Sequence, residues 1–187
     1  MEEIKQQILD YINEEINVLS LIDKNQILKI MKEIISCKDR GNFIYICGNG
    51  GSAATASHYC CDFNKGVSGN DQSNTNFICL SDNVATITAI ANDISYDEIF
   101  SYQLKNRLKE GDLLFVISGS GNSKNIVNAM KVAKEKGNKI IGLCGYDGGK
   151  VKEMSDTCLH VNINNMQIVE DVHMILDHCM MYVITHS

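Results

Sequence analysis

The chain has 187 residues, enough for one domain with a substantial core, and its 44% hydrophobic and 21% charged content excludes a disordered chain. No apolar run approaches the roughly 20 residues that cross a bilayer, and the charged start Met1-Glu2-Glu3-Ile4-Lys5 is unlike a secretory leader, so a cytoplasmic protein with no membrane partner is expected. A formal charge of −6 argues against a general nucleic-acid surface and leaves a local phosphate pocket open.

Ile4, Ile8, Ile12, Ile16 and Leu19 recur at helical spacing, as do Ile27, Ile30, Met31, Ile34 and Ile35, and Gly41 is the expected stop. Short apolar runs then alternate with helices. Phe43 to Cys47 reads as a strand and Ser52 to Phe63 as a helix; Phe77 to Leu80 is the next strand, with a helix from about Val84 to Ile90. Ser95-Tyr96-Asp97-Glu98 has the form of a capping box opening a helix that carries Phe100, Leu104 and Leu108. Leu113 to Ile117, Ile140 to Cys144 and Cys158 to Val161 supply three more strands. A helix ending near Gly137 follows the first of these, and a last helix begins near Gln167.

Strands alternating with helices imply crossover connections and a largely parallel sheet. The expectation is one α/β domain over residues 1–187: an N-terminal helical hairpin to residue 40, able to pack on a neighbour, and a core of five strands covered on both faces from residue 41. The eight cysteines include no CxxC pair, and Cys47, Cys79 and Cys144 fall in or beside strands, as small hydrophobes do. A reduced chain without disulfides is expected.

Two turns follow strands and open helices. Ser118-Gly119-Ser120-Gly121-Asn122-Ser123 sets hydroxyls and an amide among the unpaired N–H groups of a positive helix end, with glycines that let a ligand approach. It lacks the Gly-Lys-Ser/Thr ending of a nucleotide loop and the spaced glycines of a dinucleotide turn, so a small phosphorylated metabolite is expected and no nucleotide cofactor. Gly48-Asn49-Gly50-Gly51-Ser52 repeats the arrangement, and both turns lie at the carboxyl ends of strands, where parallel sheets bind ligands.

The helix opened by Ser52 carries His58 and Asp62 four residues apart, within about 40° of each other around the axis. The last helix carries Glu170, His173 and His178; Glu170 and His178 are offset by roughly 80°, so both can border one cleft. Asp171 and Asp177 fall on other bearings and read as solvent-facing or capping residues, and His160 and His186 as structural or surface groups. Two histidines and two carboxylates suit zinc or another divalent metal, and equally suit metal-free acid–base chemistry.

With Ala91-Asn92-Asp93 and Gly145-Tyr146-Asp147-Gly148-Gly149-Lys150, the two turns form an ordered set that resembles sugar isomerase (SIS) domain proteins, in particular the bacterial sedoheptulose 7-phosphate (phosphoheptose) isomerase branch. The resemblance covers nearly the whole chain. It implies a three-layer, flavodoxin-like α/β fold and a homotetramer with active sites between subunits. It implies that Ser52, Ser118, Gly119, Ser120 and Ser123 hold the sugar phosphate, and that Asn49, Gly50, Gly51 and Asp93 line the rest of the substrate site. His58 matches the family's first zinc-site histidine and His178 its catalytic histidine. The family's glutamate falls at Asp62, one methylene shorter, and its glutamine at Glu170, which adds negative charge. A family basic residue after that glutamate has only Lys65 as a substitute.

The expected reaction is ketose–aldose isomerisation through an enediol, with Asp62 or Glu170 as base, His178 as partner acid/base, and zinc held by His58, Asp62, Glu170 and His178. The alternatives are an isomerase of another sugar phosphate, and a non-catalytic protein-binding tetramer of the same fold.

Overall fold

The computed structural model describes residues 1–66 and 75–186. Helices α1 (Glu2–Leu21) and α2 (Lys24–Asp39) come first. The Asp23 carboxylate starts α2 by accepting from the Asn25 N–H at 2.9 Å, and Gly41 ends it with φ of 70°. Strand β1 (Phe43–Cys47) leads into α3 (Gly51–Cys61), which runs on as a π-helical turn over Asp62–Gly66. Then follow β2 (Asn76–Cys79), α4 (Val84–Asp93), a 3-10 turn at Tyr96–Glu98, and α5 (Ser101–Arg107). The remaining elements are β3 (Leu113–Ser118), α6 (Lys124–Glu135), β4 (Lys139–Cys144), α7 (Gly149–Met154), β5 (Thr157–His160) and α8 (Met166–His186).

All five strands are parallel, in the order β2-β1-β3-β4-β5. β3 lies mid-sheet and is buried along its whole length, as a strand covered on both faces must be. Successive side chains take opposite faces. Ile44, Ile46, Phe115, Ile117, Ile141 and Leu143 pack with Ile34 of α2, Tyr59 of α3 and Val172 of α8. Tyr45, Cys47, Leu114, Val116 and Ile140 pack with Ile90, Leu104, Met130 and Val151 of α4 to α7. These are the three layers expected.

Two local expectations need correction. Ser95 caps nothing with its side chain, and the helix after it starts only at Ser101. Glu98 does not reach back to form a capping box; its carboxylate accepts from Ser101 Oγ, Lys105 Nζ and Asn128 Nδ2 instead, tying α5 to α6. The segment Gly149–Met154 is also a helix, too short for periodicity to reveal.

α1 touches this core along one face only, through Tyr11, Val18 and Leu19. None of its residues is buried, and Ile4, Ile8, Leu9, Ile12 and Ile16 form an exposed apolar stripe.

Candidate active site

The order of the sheet reverses between β1 and β3: the helix after β1 covers one face and the helix after β3 the other. Their loops part there and leave a crevice at the carboxyl edge. Asn49, Ser52, Ile117, Ser118, Gly119, Ser120, Ser123, Met166 and Glu170 line a cavity of about 110 Å3 in that crevice. The first turns of α3 and α6 both open onto it, bringing two sets of unpaired N–H groups and two positive helix ends.

The polar lining is held in place. Ser118 Oγ donates to Ser123 Oγ at 3.4 Å, and Ser123 spends no hydroxyl on capping α6. The amides of Asn49 and Asn125 exchange two hydrogen bonds of 2.9 Å, and Tyr96 Oη donates to Asn49 Oδ1 at 2.8 Å. Neither Asn125 nor Tyr96 carries a pattern that sequence reading could single out.

The serine loop rests on the loop after β4. Gly145 N donates to Gly119 O at 2.8 Å, Val151 N to Gly121 O at 2.9 Å, and Lys150 N to Asn122 Oδ1 at 3.1 Å. The Gly145–Lys150 motif therefore supports the serine loop from behind. Tyr146 within it adopts φ of 49°, rare for a residue with a side chain.

α3 and α8 run side by side in the same direction: Glu170 lies by Gly51, and His178 by His58. A Cβ on Gly51 would sit 2.3 Å from Glu170 Oε2, so only glycine leaves room for that carboxylate. One to two turns further along, His58 Nε2 is 3.0 Å from His178 Nε2 and 3.5 Å from Asp62 Oδ2, and His178 Nε2 is 3.9 Å from Asp62 Oδ2. Asp177 completes the cluster, its Oδ2 4.0 Å from His58 Nε2, and one donor atom from each of the four residues lies within 4.8 Å of the others.

The donor set thus differs from the expected one. Asp177 is fully buried between α8 and α3, not solvent-facing, and neither of its oxygens has a hydrogen-bond partner among the described residues. Burial first, and the charge of Asp62 second, push its carboxyl up to about 8. Glu170 stands at the serine end, outside the cluster, because the eight residues to His178 raise it about 12 Å along the axis. Two imidazoles and two carboxylates at these spacings fit a divalent cation: donors about 2.0–2.1 Å from a tetrahedral metal lie about 3.3 Å from one another.

Other expected residues fall as follows. Gly50 makes the turn into α3 with φ of 54°, and Gly119 is a buried part of the cavity wall. Asp93 is exposed at the end of α4, accepts from Asn92 Nδ2 at 2.9 Å, and is absent from the cavity lining. Lys65 is exposed in the π-helical turn. His173 points into the core, where burial lowers its imidazole to about 4 against a smaller opposing pull from the Cys144 backbone.

Residues 9–145 match the SIS domain family model. The chain is 38% identical over 159 residues to the phosphoheptose isomerase of Aliarcobacter butzleri strain RM4018, covering 85% of this chain and 84% of that protein. It is 35% identical to the phosphoheptose isomerase of Shewanella halifaxensis, over 100% of this chain and 95% of the relative. The solved phosphoheptose isomerase of Neisseria gonorrhoeae superposes with a TM-score of 0.90 at 29% identity, covering 98% of this chain and 100% of that one. On its sequence and its fold alike, the chain belongs to the SIS-domain family.

Proposed function

We propose that this protein is a phosphosugar ketose–aldose isomerase that converts sedoheptulose 7-phosphate to D-glycero-D-manno-heptose 7-phosphate through an enediol. One observation carries the reading: a serine-lined anion cavity and a His/Asp cluster stand at two heights on the same pair of helices. From Ser52 to His58 is about 9 Å along α3, and from Glu170 to His178 about 12 Å along α8. An extended heptose phosphate is of that order, with its phosphate among the serines and its carbonyl end at the cluster. The names and the coverage of the relatives support the same substrate.

In this reading Ser52, Ser118, Ser120 and Ser123 bind the phosphate, with Gly119 and the helix ends as backbone donors. Asn49, held by Asn125 and Tyr96, orients the sugar hydroxyls. Asp62 takes the proton from C1 of the ketose and returns it at C2. His178 moves the oxygen-bound proton from O1 to O2. Of the two candidate carboxylates, Asp62 is the one beside His178. His58, Asp62, His178 and a further carboxylate would hold zinc, which when bound would polarise the carbonyl oxygen; an atom bound to the ion cannot carry the proton at the same time, so the proton steps would fall to the atoms of Asp62 and His178 left free. Binding energy from the remote phosphate aligns the reacting carbons.

Incubating the protein with sedoheptulose 7-phosphate and following the aldose product tests the reading, and no product with or without added Zn2+ would sink it. Ser120→Ala should raise KM by about tenfold with a smaller change in kcat, since one hydrogen bond to a charged phosphate contributes about 1.5–3 kcal/mol. An unchanged KM would remove Ser120 from the phosphate site.

We further propose a homotetramer in which the α1 stripe is covered by other subunits and Asp93 reaches a neighbour's site. The apolar stripe supports this, since its residues find no cover among the described residues. Ile8→Glu combined with Ile12→Glu should reduce the mass measured by light scattering; a tetramer surviving both changes would place the interface elsewhere. Among the described residues no helix is long and apolar enough to cross a membrane.

A further inference from the structure

Cys144, at the end of β4, and Cys158, in the edge strand β5, have no part in the reaction just described. The register sets Cys158 beside Gly142 and Cys144 beside His160, so the two thiols are diagonal neighbours on the sheet face that α7 covers. Their Sγ atoms lie 3.5 Å apart. No CxxC spacing announces the pair; the sheet makes it. Cys144 is buried and Cys158 half-buried, so a small reagent meets Cys158 first.

The surroundings favour the thiolate on Cys158. A hydrogen bond from the Cys144 thiol, aided by the Lys152 ammonium, holds Cys158 below the ordinary thiol value against the opposing effect of burial. The same bond first, and burial second, push the Cys144 thiol up, so it keeps its proton. Lys152 is steadied there by His160, Nζ to Nδ1 at 3.1 Å.

We propose that Cys144 and Cys158 form a site of reversible oxidative modification, closing to a disulfide when a hydroperoxide reaches Cys158. With hydrogen peroxide, the Cys158 thiolate attacks one oxygen, the O–O bond breaks and hydroxide leaves, giving a sulfenic acid. The Cys144 sulfur then attacks the sulfenic sulfur. An S–S bond forms, the S–O bond breaks, and the departing oxygen takes the Cys144 proton and leaves as water. Two thiols are oxidised and the peroxide is reduced to two waters, the hydroxide taking up the proton that Cys158 had released.

Closure has a reach beyond the pair. A disulfide is about 2.05 Å long, and diagonal strand neighbours stand about 7–8 Å apart at Cα against about 4.4–6.8 Å in a relaxed disulfide, so the strands must draw together. β5 has one neighbour in the sheet and is the freer to move. It carries His160, whose Nε2 donates to Tyr146 O at 2.8 Å. Cys144 is followed by Gly145, whose N–H holds Gly119 O. The displacement therefore enters the loop beneath the serine turn at two points. A bond closed under strain is also readily reduced, as a reversible modification requires. Only the consequence for turnover rests on the isomerase reading.

The test exposes the full-length protein to hydrogen peroxide and maps its disulfides by mass spectrometry after trypsin, before and after dithiothreitol. Cleavage after Lys139, Lys150 and Lys152 yields peptides 140–150 and 153–187, which carry Cys144 and Cys158. The wild type should give them joined, two hydrogens lighter than the separate pair, and dithiothreitol should part them. Cys179 shares the second peptide, so Cys179→Ser should keep the link and Cys158→Ser should lose it. A link retained in Cys158→Ser, Cys158 carried on to sulfinic acid with Cys144 still a thiol, or no link at all would each overturn the proposal. If Cys158→Ser fails to fold, Cys179→Ser decides alone, a retained link assigning the bond to Cys158 and a lost one to Cys179. On oxidation, amide hydrogen exchange at residues 119–123 should quicken; unchanged exchange in the linked protein would overturn the coupling to the serine turn. kcat/KM should fall by about tenfold or more and recover with dithiothreitol, since a misplacement near 1 Å costs up to about 100-fold. Reduced wild type without turnover would count against the isomerase reading alone, because link and exchange are read without substrate.

Discussion

Asp62→Asn is expected to lower kcat for sedoheptulose 7-phosphate by roughly 100- to 10,000-fold, the range for losing a positioned acid or base, with a much smaller change in KM. His178→Gln should fall in the same range. Asp62 Oδ2 and His178 Nε2 are 3.9 Å apart, close enough to serve one pair of adjacent carbons and their oxygens. Neither change disturbs the core, because Asp62 lies at the end of α3 and His178 is exposed on α8. Circular dichroism and melting temperature should therefore stay near those of the wild type. Glu170→Gln should behave differently. Its carboxylate shares the serine cavity with the expected phosphate, and like charges a few ångströms apart in a wet cleft repel by about 1 kcal/mol. Removing that charge should lower KM by about fivefold and alter kcat less. If Glu170→Gln instead loses turnover as Asp62→Asn should, Glu170 is the base and the substrate lies the other way round in the cleft.

The serine loops could be located from the sequence because their signal is local: an apolar run, a Ser/Gly turn, then a helix. His58 and Asp62 were equally legible, since four residues on one helix share a face whatever surrounds it. Glu170 was placed by the same angular reasoning. Around the axis it lies near His178, yet the axial rise over eight residues carries it to the other end of the site. Asp177 was misplaced for the complementary reason. One residue from His178, it points about 100° away, which reads as the solvent side until α3 is found packed there. The bearing of a side chain on its helix is written in the sequence; the identity of the neighbouring element is not. The same limit hid Asn125 and Tyr96, which reach Asn49 only because the sheet sets α6 and the 3-10 turn beside the β1 loop. Glu98 shows it at short range, where tertiary partners on α5 and α6 displaced the cap that Ser95 and Glu98 spell out.

Gly121→Ala should raise KM for the sugar phosphate at least about tenfold, while the chemically identical Gly137→Ala should leave KM unaltered. Both glycines adopt positive φ, +66° and +72°, where an added side chain costs about 1–2 kcal/mol. That strain is common to the two, and for a chain of this size it lowers the melting temperature by about 2–4 °C per kcal/mol. The surroundings differ. A Cβ at Gly137 meets nothing within 4 Å, whereas one at Gly121 would stand 2.1 Å from the Gly148 carbonyl oxygen. That oxygen belongs to backbone, so the serine loop or the loop beneath it must shift. Gly121 is bonded to both sides of this junction, donating to Ser118 O and accepting from Val151 N at 2.9 Å each. A shift there moves Ser120 and Ser123 together, and displacing two phosphate donors weakens binding by more than the loss of one hydroxyl does. The comparison separates geometry from strain: both variants should lose melting temperature, Gly121→Ala the more because backbone must also shift, and only Gly121→Ala should change KM. Equal KM values in the two variants would mean that the phosphate is not held by the loop that Gly121 shapes.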